Sequence, residues 1–296
     1  MNQIQQKDSY LSSFAGWFKN LKDSFLFLLR SIKLCYPFKV IKCQITDLLI
    51  RVLIYPVSRV ILGKRSTLRI CAFFWRTVCP SKALSLPPPF KSKIKMMGWE
   101  DFGLYSEIYL ANIYSQEVLN RGMSVIDIGA HIGTYTILVA EKIGKEGKVI
   151  AIEPEPKNYE QLLKNIQLNH FENVIPQNIA LADYDGFKKL YLSSWSGSHS
   201  LVIRGDEGAS IEVPVKTLDK LVEELNLKRV DIIKIDAEGA EISILKGAEK
   251  TLKANPNIKI IVATEHYPSE TEEVCQFLNE RGLKTKILRE DIVITI

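Results

Sequence analysis

Residues 125–133 read Val-Ile-Asp-Ile-Gly-Ala-His-Ile-Gly, and Thr-Tyr-Thr-Ile-Leu-Val-Ala-Glu-Lys-Ile-Gly follows over 134–144. The β-branched run predicts a buried strand, the glycines predict a tight turn, and the apolar spacing after Thr134 predicts a helix. A strand that turns directly into a helix places backbone N–H groups and a helix N-terminus at the strand's carboxyl end, where open α/β sheets bind ligands. The dinucleotide fingerprint G-x-G-x-x-G would need glycine at 129, 131 and 134, but His131 and Thr134 stand at two of these places. A pyrophosphate ligand is therefore disfavoured. The second strand, Lys148–Ile152, runs into Glu153 and Pro154, 26 residues after Asp127. An acidic side chain there can accept hydrogen bonds from both hydroxyls of a ribose. Together the two motifs predict a nucleoside ligand without a diphosphate. Asp127 has two readings: it ties down the turn, or it also approaches a cationic group of the ligand.

Outward from this turn, short apolar strands alternate with helical periodicity through 174–181, which builds a parallel sheet. A hairpin-like region is predicted near Lys188–Ser193 and Ile211–Pro214, then a helix at 218–225 and a strand at Val230–Ile235. Beyond these come a helix over Glu241–Lys253, a strand over Ile258–Thr264 and a helix over Glu270–Arg281. The final strands, near Thr285–Leu288 and Ile292–Ile296, are separated by Arg289, Glu290 and Asp291 alone, so they must pair as an antiparallel hairpin.

Five stretches, VIDIGAHIGTYT, AIEPEPKNYEQLLKNIQLN, NIALADYDG, VPVKTLDKL and DIIKIDAEGAEISILKGAEKTL, together resemble the FkbM-type S-adenosylmethionine-dependent methyltransferases over about residues 100–296. The resemblance implies a class I methyltransferase (Rossmann-like) α/β fold: a seven-stranded sheet with an antiparallel C-terminal hairpin. It implies S-adenosyl-L-methionine as cofactor, with contacts at Asp127, Gly129, Ala130, His131, Gly133, Tyr135, Glu153, Pro154, Asn178, Ala180 and Asp183. In this reading the 129–133 turn faces the methionine part, Glu153 holds the ribose and residues 178–183 lie by the adenine. Asp183 also belongs to an ordinary turn sequence, Asp-Tyr-Asp-Gly. His131 stands where the family's turn commonly carries Asn.

The strand 230–235 ends in Asp236-Ala-Glu238-Gly-Ala-Glu241. Methyl transfer to a hydroxyl needs the acceptor held in line and its proton removed. Asp236 and Glu238 are the candidates for that work, whereas Glu241 reads as a charge complementing a helix N-terminus. The next strand ends at Thr264-Glu265-His266-Tyr267. Asp236 and Glu265 at neighbouring strand ends could hold a divalent metal, or Glu265 could bind a polar acceptor with His266 as a base near its natural pKa. No metal ligand is assigned, and a divalent metal is left open. The 193–200 loop, Ser-Ser-Trp-Ser-Gly-Ser-His-Ser, offers Trp195 and His199 as a sugar-binding lip or is a plain connection.

The 296 residues carry a net charge of +5 that hides an asymmetry. Residues 1–99 hold 17 Lys/Arg against Asp8, Asp23 and Asp47 (+14), and residues 100–296 hold 22 against 31 Asp/Glu (−9). A Pro triplet and a basic run at 83–98 mark a linker, so the expected division is a basic helical segment over 1–95 and a catalytic domain over 96–296. Leu11, Phe14, Phe18, Leu21, Phe25, Leu28 and Ile32 recur on one helical stripe, and the apolar stretch 45–62 is interrupted by Asp47, Arg51, Pro56 and Arg59. These patterns suit peripheral contact with an anionic membrane, or packing on the catalytic domain or a partner. Five cysteines with no C-x-x-C spacing suit a reducing compartment, and no secretory signal is read, so the expected location is the cytoplasmic face of the membrane. The expected activity is O-methylation of a hydroxyl on a glycan, glycolipid or related small molecule, the acceptor class resting on the resemblance alone. The alternatives are a non-catalytic cofactor-binding or assembly module and a protein or nucleic-acid methyltransferase; the negative catalytic half argues against a nucleic-acid partner.

Overall fold

The computed structural model describes residues 45, 83–86, 89–98, 100–109, 111–193, 197–202, 209–289 and 291–296. The stripe from Leu11 to Ile32, the stretch 45–62 apart from Ile45, and Trp195 lie outside the described residues. Residues 95–111 group with the chain before residue 92, while 92–94 group with 112–296. In the first group a helix spans Glu100–Tyr109. Asp101 accepts hydrogen bonds from the amides of Met97 (2.6 Å) and Gly98 (2.9 Å), and the ring of Tyr105 lies between Phe102 and Tyr109 at 5.6 and 4.8 Å.

The second group is built on a seven-stranded sheet. In chain order its elements are β1 (Ser124–Ile128), α1 (Thr134–Ile143), β2 (Lys148–Ile152), α2 (Pro156–Leu168) and β3 (Val174–Gln177). Then come β4 (Ala180–Leu181), β5 (Gly186–Tyr191), β6 (Ser210–Lys216), α3 (Leu218–Glu224), β7 (Ile232–Ile235), α4 (Glu241–Lys246) and α5 (Glu249–Ala254). The chain closes with β8 (Lys259–Ala263), α6 (Glu270–Asn279), β9 (Thr285–Arg289) and β10 (Ile292–Thr295). The sheet order is β9-β10-β8-β7-β1-β2-β3, with β10 antiparallel to both β8 and β9. The strand order reverses at β1, so its carboxyl end is the crevice where such sheets take ligands. The predicted terminal hairpin is present, with a register shift between Ile287 and Arg289.

Burial explains the pattern. Val125–Ile128, Val149–Ile152 and Ile232–Ile235 are buried throughout because helices cover both faces of a parallel sheet. α1 is buried on nearly every side, while α2 is amphipathic and buries Leu162, Ile166, Asn158, Gln161 and Asn165. Glu155 caps α2 by accepting from the amide of Asn158 (2.7 Å), with Pro156 at the first helical position.

Two predicted elements are split. The strand expected over 174–181 leaves the main sheet after Gln177, and Ala180–Leu181 pairs instead with β6 in a three-stranded sheet ordered β4-β6-β5. Asn178 sits at the bend and donates to the carbonyls of Glu153 (2.8 Å) and Pro154 (3.1 Å). The helix expected over 241–253 breaks at Gly247-Ala248. A Cβ at Gly247 would stand 2.1 Å from the carbonyl oxygen of Ala182, so the glycine lets the 180–183 stretch approach the helix backbone. Asp219 secures the second half by accepting from the amides of Lys250 (2.9 Å) and Thr251 (2.7 Å).

Candidate active site

Gly129 adopts φ +74°, and a Cβ there would meet the carbonyl oxygen of Asp236 at 1.8 Å. Glycine is required by that approach, which presses the β1 turn against the end of β7. The turn's amides are already committed: Gly129 and Ala130 donate to the Ile152 carbonyl (3.0 and 2.9 Å), and Gly133 donates to Ala130 (2.8 Å). His131, at φ +52°, donates its amide to Glu153 Oε2 (2.8 Å). The Asn165 side chain donates to the Ile132 carbonyl (2.7 Å), so α2 props the turn.

Glu153 is buried, and its Oε1 accepts from the amide of Glu155 (2.9 Å) and the side chain of Asn158 (3.4 Å). Burial pushes its pKa up to about 7 against the opposing pull of these hydrogen bonds. A carboxylate has roughly four lone-pair sites, so these bonds leave acceptor capacity. Asp127 is fully buried, accepts from Thr136 Oγ1 (2.6 Å) and lies 3.3 Å from the ammonium of Lys234. Its Oδ1 has no hydrogen-bond partner. Asp183 accepts from Ser243 Oγ on α4 (2.8 Å) and is exposed, and Ala180 is buried in β4.

Lys234 was not singled out from the sequence, because the strand around it reads as apolar. The signal was there: one Lys among isoleucines, in register with Asp127 on β1 and two residues before Asp236. Its side chain is 3% exposed. The ammonium donates to the carbonyls of Gly129 (2.9 Å) and Ile128 (3.3 Å), stands 3.7 Å from Asp236 Oδ2 and lies 5.2 Å from the Tyr114 ring centroid. The flanking carboxylates raise its pKa despite burial. Tyr114, also missed, donates its hydroxyl to Asp236 Oδ2 (2.7 Å) and packs edge-on against the buried ring of Tyr135 (5.2 Å). Burial opposes ionisation of Asp236, but Lys234, Tyr114 and His266 outweigh it and hold the pKa below the usual aspartate value.

On the other side of Asp236 a cluster forms around His266, whose side chain is 2% exposed. Its Nε2 lies 3.7 Å from Asp236 Oδ1 and 3.8 Å from Glu238 Oε2, and its Nδ1 lies 3.2 Å from Glu270 Oε2 and 3.3 Å from Glu241 Oε1. Burial would lower the imidazole's pKa, but the four carboxylates push it up to about 9. The ring's pKa thus lies above the natural value expected of it from the sequence. Glu241 sits at the N-terminus of α4 and accepts from the amide of Ala237 (2.7 Å), as a dipole complement would. It is also fully buried against Glu270, and burial and that neighbour push its pKa up to about 8. Glu270 accepts from the amide of His266 (2.8 Å).

Asp236 and Glu265 follow the ends of the neighbouring parallel strands β7 and β8, and desolvation with the Asp236 and Asp291 carboxylates raises the pKa of Glu265. Glu265 is exposed, and the metal-ligating groups that converge among the described residues are Asp236/Glu238/His266 and Glu241/His266/Glu270, each set within 4.8 Å. Glu238 takes a left-handed conformation (φ +55°), and its carbonyl accepts from Ser200 Oγ (2.5 Å), so the 193–200 loop ends on the acidic turn. His199 accepts the amide of Ser193 (3.0 Å).

The family model of the methyltransferase FkbM domain matches residues 127–284. The hexuronic acid methyltransferase AglP of Haloferax volcanii is 27% identical over 177 residues, 57% of this chain and 68% of that protein. Methyltransferase 1 of Beauveria bassiana is 25% identical over 166 residues, 49% of this chain and 66% of that protein. The chain thus spans about two thirds of the length of these curated relatives. A crystal structure of an FkbM methyltransferase from Methylobacillus flagellatus covers 84% of this chain and 60% of its own, at 14% identity and a TM-score of 0.45.

Proposed function

Because the chain belongs to the FkbM methyltransferase domain family, we propose that it is an S-adenosyl-L-methionine-dependent O-methyltransferase acting on a hydroxyl of a glycan, glycolipid or related small molecule. One observation carries the reading: a Cβ at Gly129 would strike the Asp236 carbonyl, so the nucleoside-type turn and the carboxylate cluster lie side by side. The residues fit the cofactor. Glu153 is a ribose acceptor, no glycine triad serves a pyrophosphate, and the bend from Asn178 to Asp183 borders the adenine side. When bound, the cofactor supplies a sulfonium methyl group. Asp236 and Glu238 orient the acceptor hydroxyl and receive its proton, while Lys234 and Tyr114 keep Asp236 ionised. The similarity to a hexuronic acid methyltransferase supports a sugar acceptor.

Among the described residues no helix is long and apolar enough to cross a membrane. The +14 segment before the catalytic domain would hold the enzyme on an anionic, cytoplasmic membrane face, where a lipid-linked acceptor resides. Incubation with labelled methyl donor and separated glycan, lipid and protein fractions tests the acceptor: label in glycan or glycolipid supports it, and label confined to protein overturns it. Liposome co-sedimentation tests the membrane reading, with salt-sensitive binding to anionic vesicles expected and equal recovery on neutral ones refuting it.

A further inference from the structure

His266 Nε2 is buried and has no hydrogen-bond partner, yet it faces Asp236 and Glu238. The separations of 3.7 and 3.8 Å exceed hydrogen-bond length. At metal–ligand bonds of about 2.1 Å, atoms so spaced subtend roughly 120–130° at a shared ion. Its Nδ1, which likewise makes no hydrogen bond, lies 3.2 and 3.3 Å from two fully buried carboxylates, Glu270 and Glu241, placed where the outer partners of a metal-binding imidazole stand. Lys234 and Tyr114 engage Oδ2 of Asp236, which leaves Oδ1 as the oxygen on the histidine side.

We propose that Asp236, Glu238 and His266 form a three-ligand site for a divalent first-row transition cation, whose open positions take oxygens of the acceptor. Two carboxylates and one imidazole favour manganese or zinc over magnesium or calcium, which prefer all-oxygen shells. Three protein ligands with open positions are the arrangement of a catalytic ion. Such an ion would acidify the bound hydroxyl, leaving the carboxylate oxygen of Glu238 not bound to the ion to receive its proton, and would favour acceptors with a second oxygen beside it, as in a sugar diol. The site rests on the methyl-transfer reading for its purpose, though not for its existence.

The test is Mn²⁺ titration of the chelator-stripped full chain by electron paramagnetic resonance, with Zn²⁺ as competitor and no methyl donor present. One Mn²⁺ per chain is expected. Glu238→Gln and His266→Gln should each weaken it tenfold or more, and Glu265→Gln less than threefold. Circular dichroism checks that each variant is folded, and Asp236→Asn replaces any that is not. Absence of stoichiometric Mn²⁺ or Zn²⁺ binding by the wild-type chain overturns the site. So does equal affinity in the ligand variants, or loss in Glu265→Gln matching that in Glu238→Gln. Label transfer is scored separately: a bound ion without methylation refutes the enzyme reading alone, and chelator-resistant methylation without ion binding refutes the site alone.

Discussion

The two halves of the crevice are built by opposite means. At the β1–α1 turn, backbone groups do most of the work: amides of residues 129, 130, 131 and 133 each have an acceptor, and the Glu153 carboxylate is itself braced by two amides. Around His266, side chains do the work, and four carboxylates crowd one ring while several buried atoms lack hydrogen-bond partners. A turn finished by its own backbone keeps its shape without a ligand. A cluster of crowded charges keeps its shape only against strain, so its geometry is the half that responds to what enters.

Gly129→Ala attacks the finished half most severely, because its methyl would overlap a backbone oxygen that cannot move aside. A loss above roughly 4 kcal/mol is expected from urea denaturation, and a cost under about 1 kcal/mol would show the turn to be slack. Next in size, Asp236→Asn should lower turnover by roughly 100-fold while cofactor affinity stays within about threefold. A parallel fall in cofactor affinity, read by calorimetry, would show the two halves to be one. Glu153→Ala should weaken cofactor binding by roughly 1.5–3 kcal/mol, and unchanged affinity in the folded variant removes the ribose assignment.

Glu153 also makes the finished half sensitive to pH. Its pKa is raised from 4.5 to about 7, so the folded chain holds this proton more tightly than the unfolded chain does. The stabilisation is complete below pH 4.5 and is lost as the pH climbs through 7, a change on the order of 2–3 kcal/mol. Thermal melts between these limits should show a steeper decline for wild type than for Glu153→Gln, and parallel declines refute the effect. The smallest change expected is in Tyr114→Phe, which keeps the ring over Lys234 and removes the hydroxyl from Asp236. Stability should fall by about 1 kcal/mol, and the acid limb of kcat/KM should move upward by less than about one pH unit.

The finished half was legible in the sequence because it is local. Residues 125–134 and 148–154 declare strand, turn and helix through glycine placement and β-branched runs, and the terminal hairpin follows from a three-residue gap. The crowded half joins Tyr114, Lys234, Asp236, Glu238, Glu241, His266 and Glu270, which only the sheet order brings together. Glu265 and His266 are adjacent in the chain, and His266 is the one that converges with Asp236 and Glu238. The splits at Asn178 and Gly247 were hidden for a similar reason: each depends on a neighbour distant in sequence, Glu153 in one case and Ala182 in the other.

Lys234 gives the molecule a constraint on its history. One buried ammonium serves Asp127, Asp236 and the Gly129 carbonyl at once. Losing it alone would leave the fully buried Asp127 without its cation and Asp236 with Tyr114 and His266 only, and losing either carboxylate alone would leave the lysine short of a partner, so each single step from this arrangement is a descent. Descendants of this chain can exchange the trio only through joint replacement. Among its relatives, positions 127, 234 and 236 should therefore change together or stay fixed, whatever acceptor each has come to use.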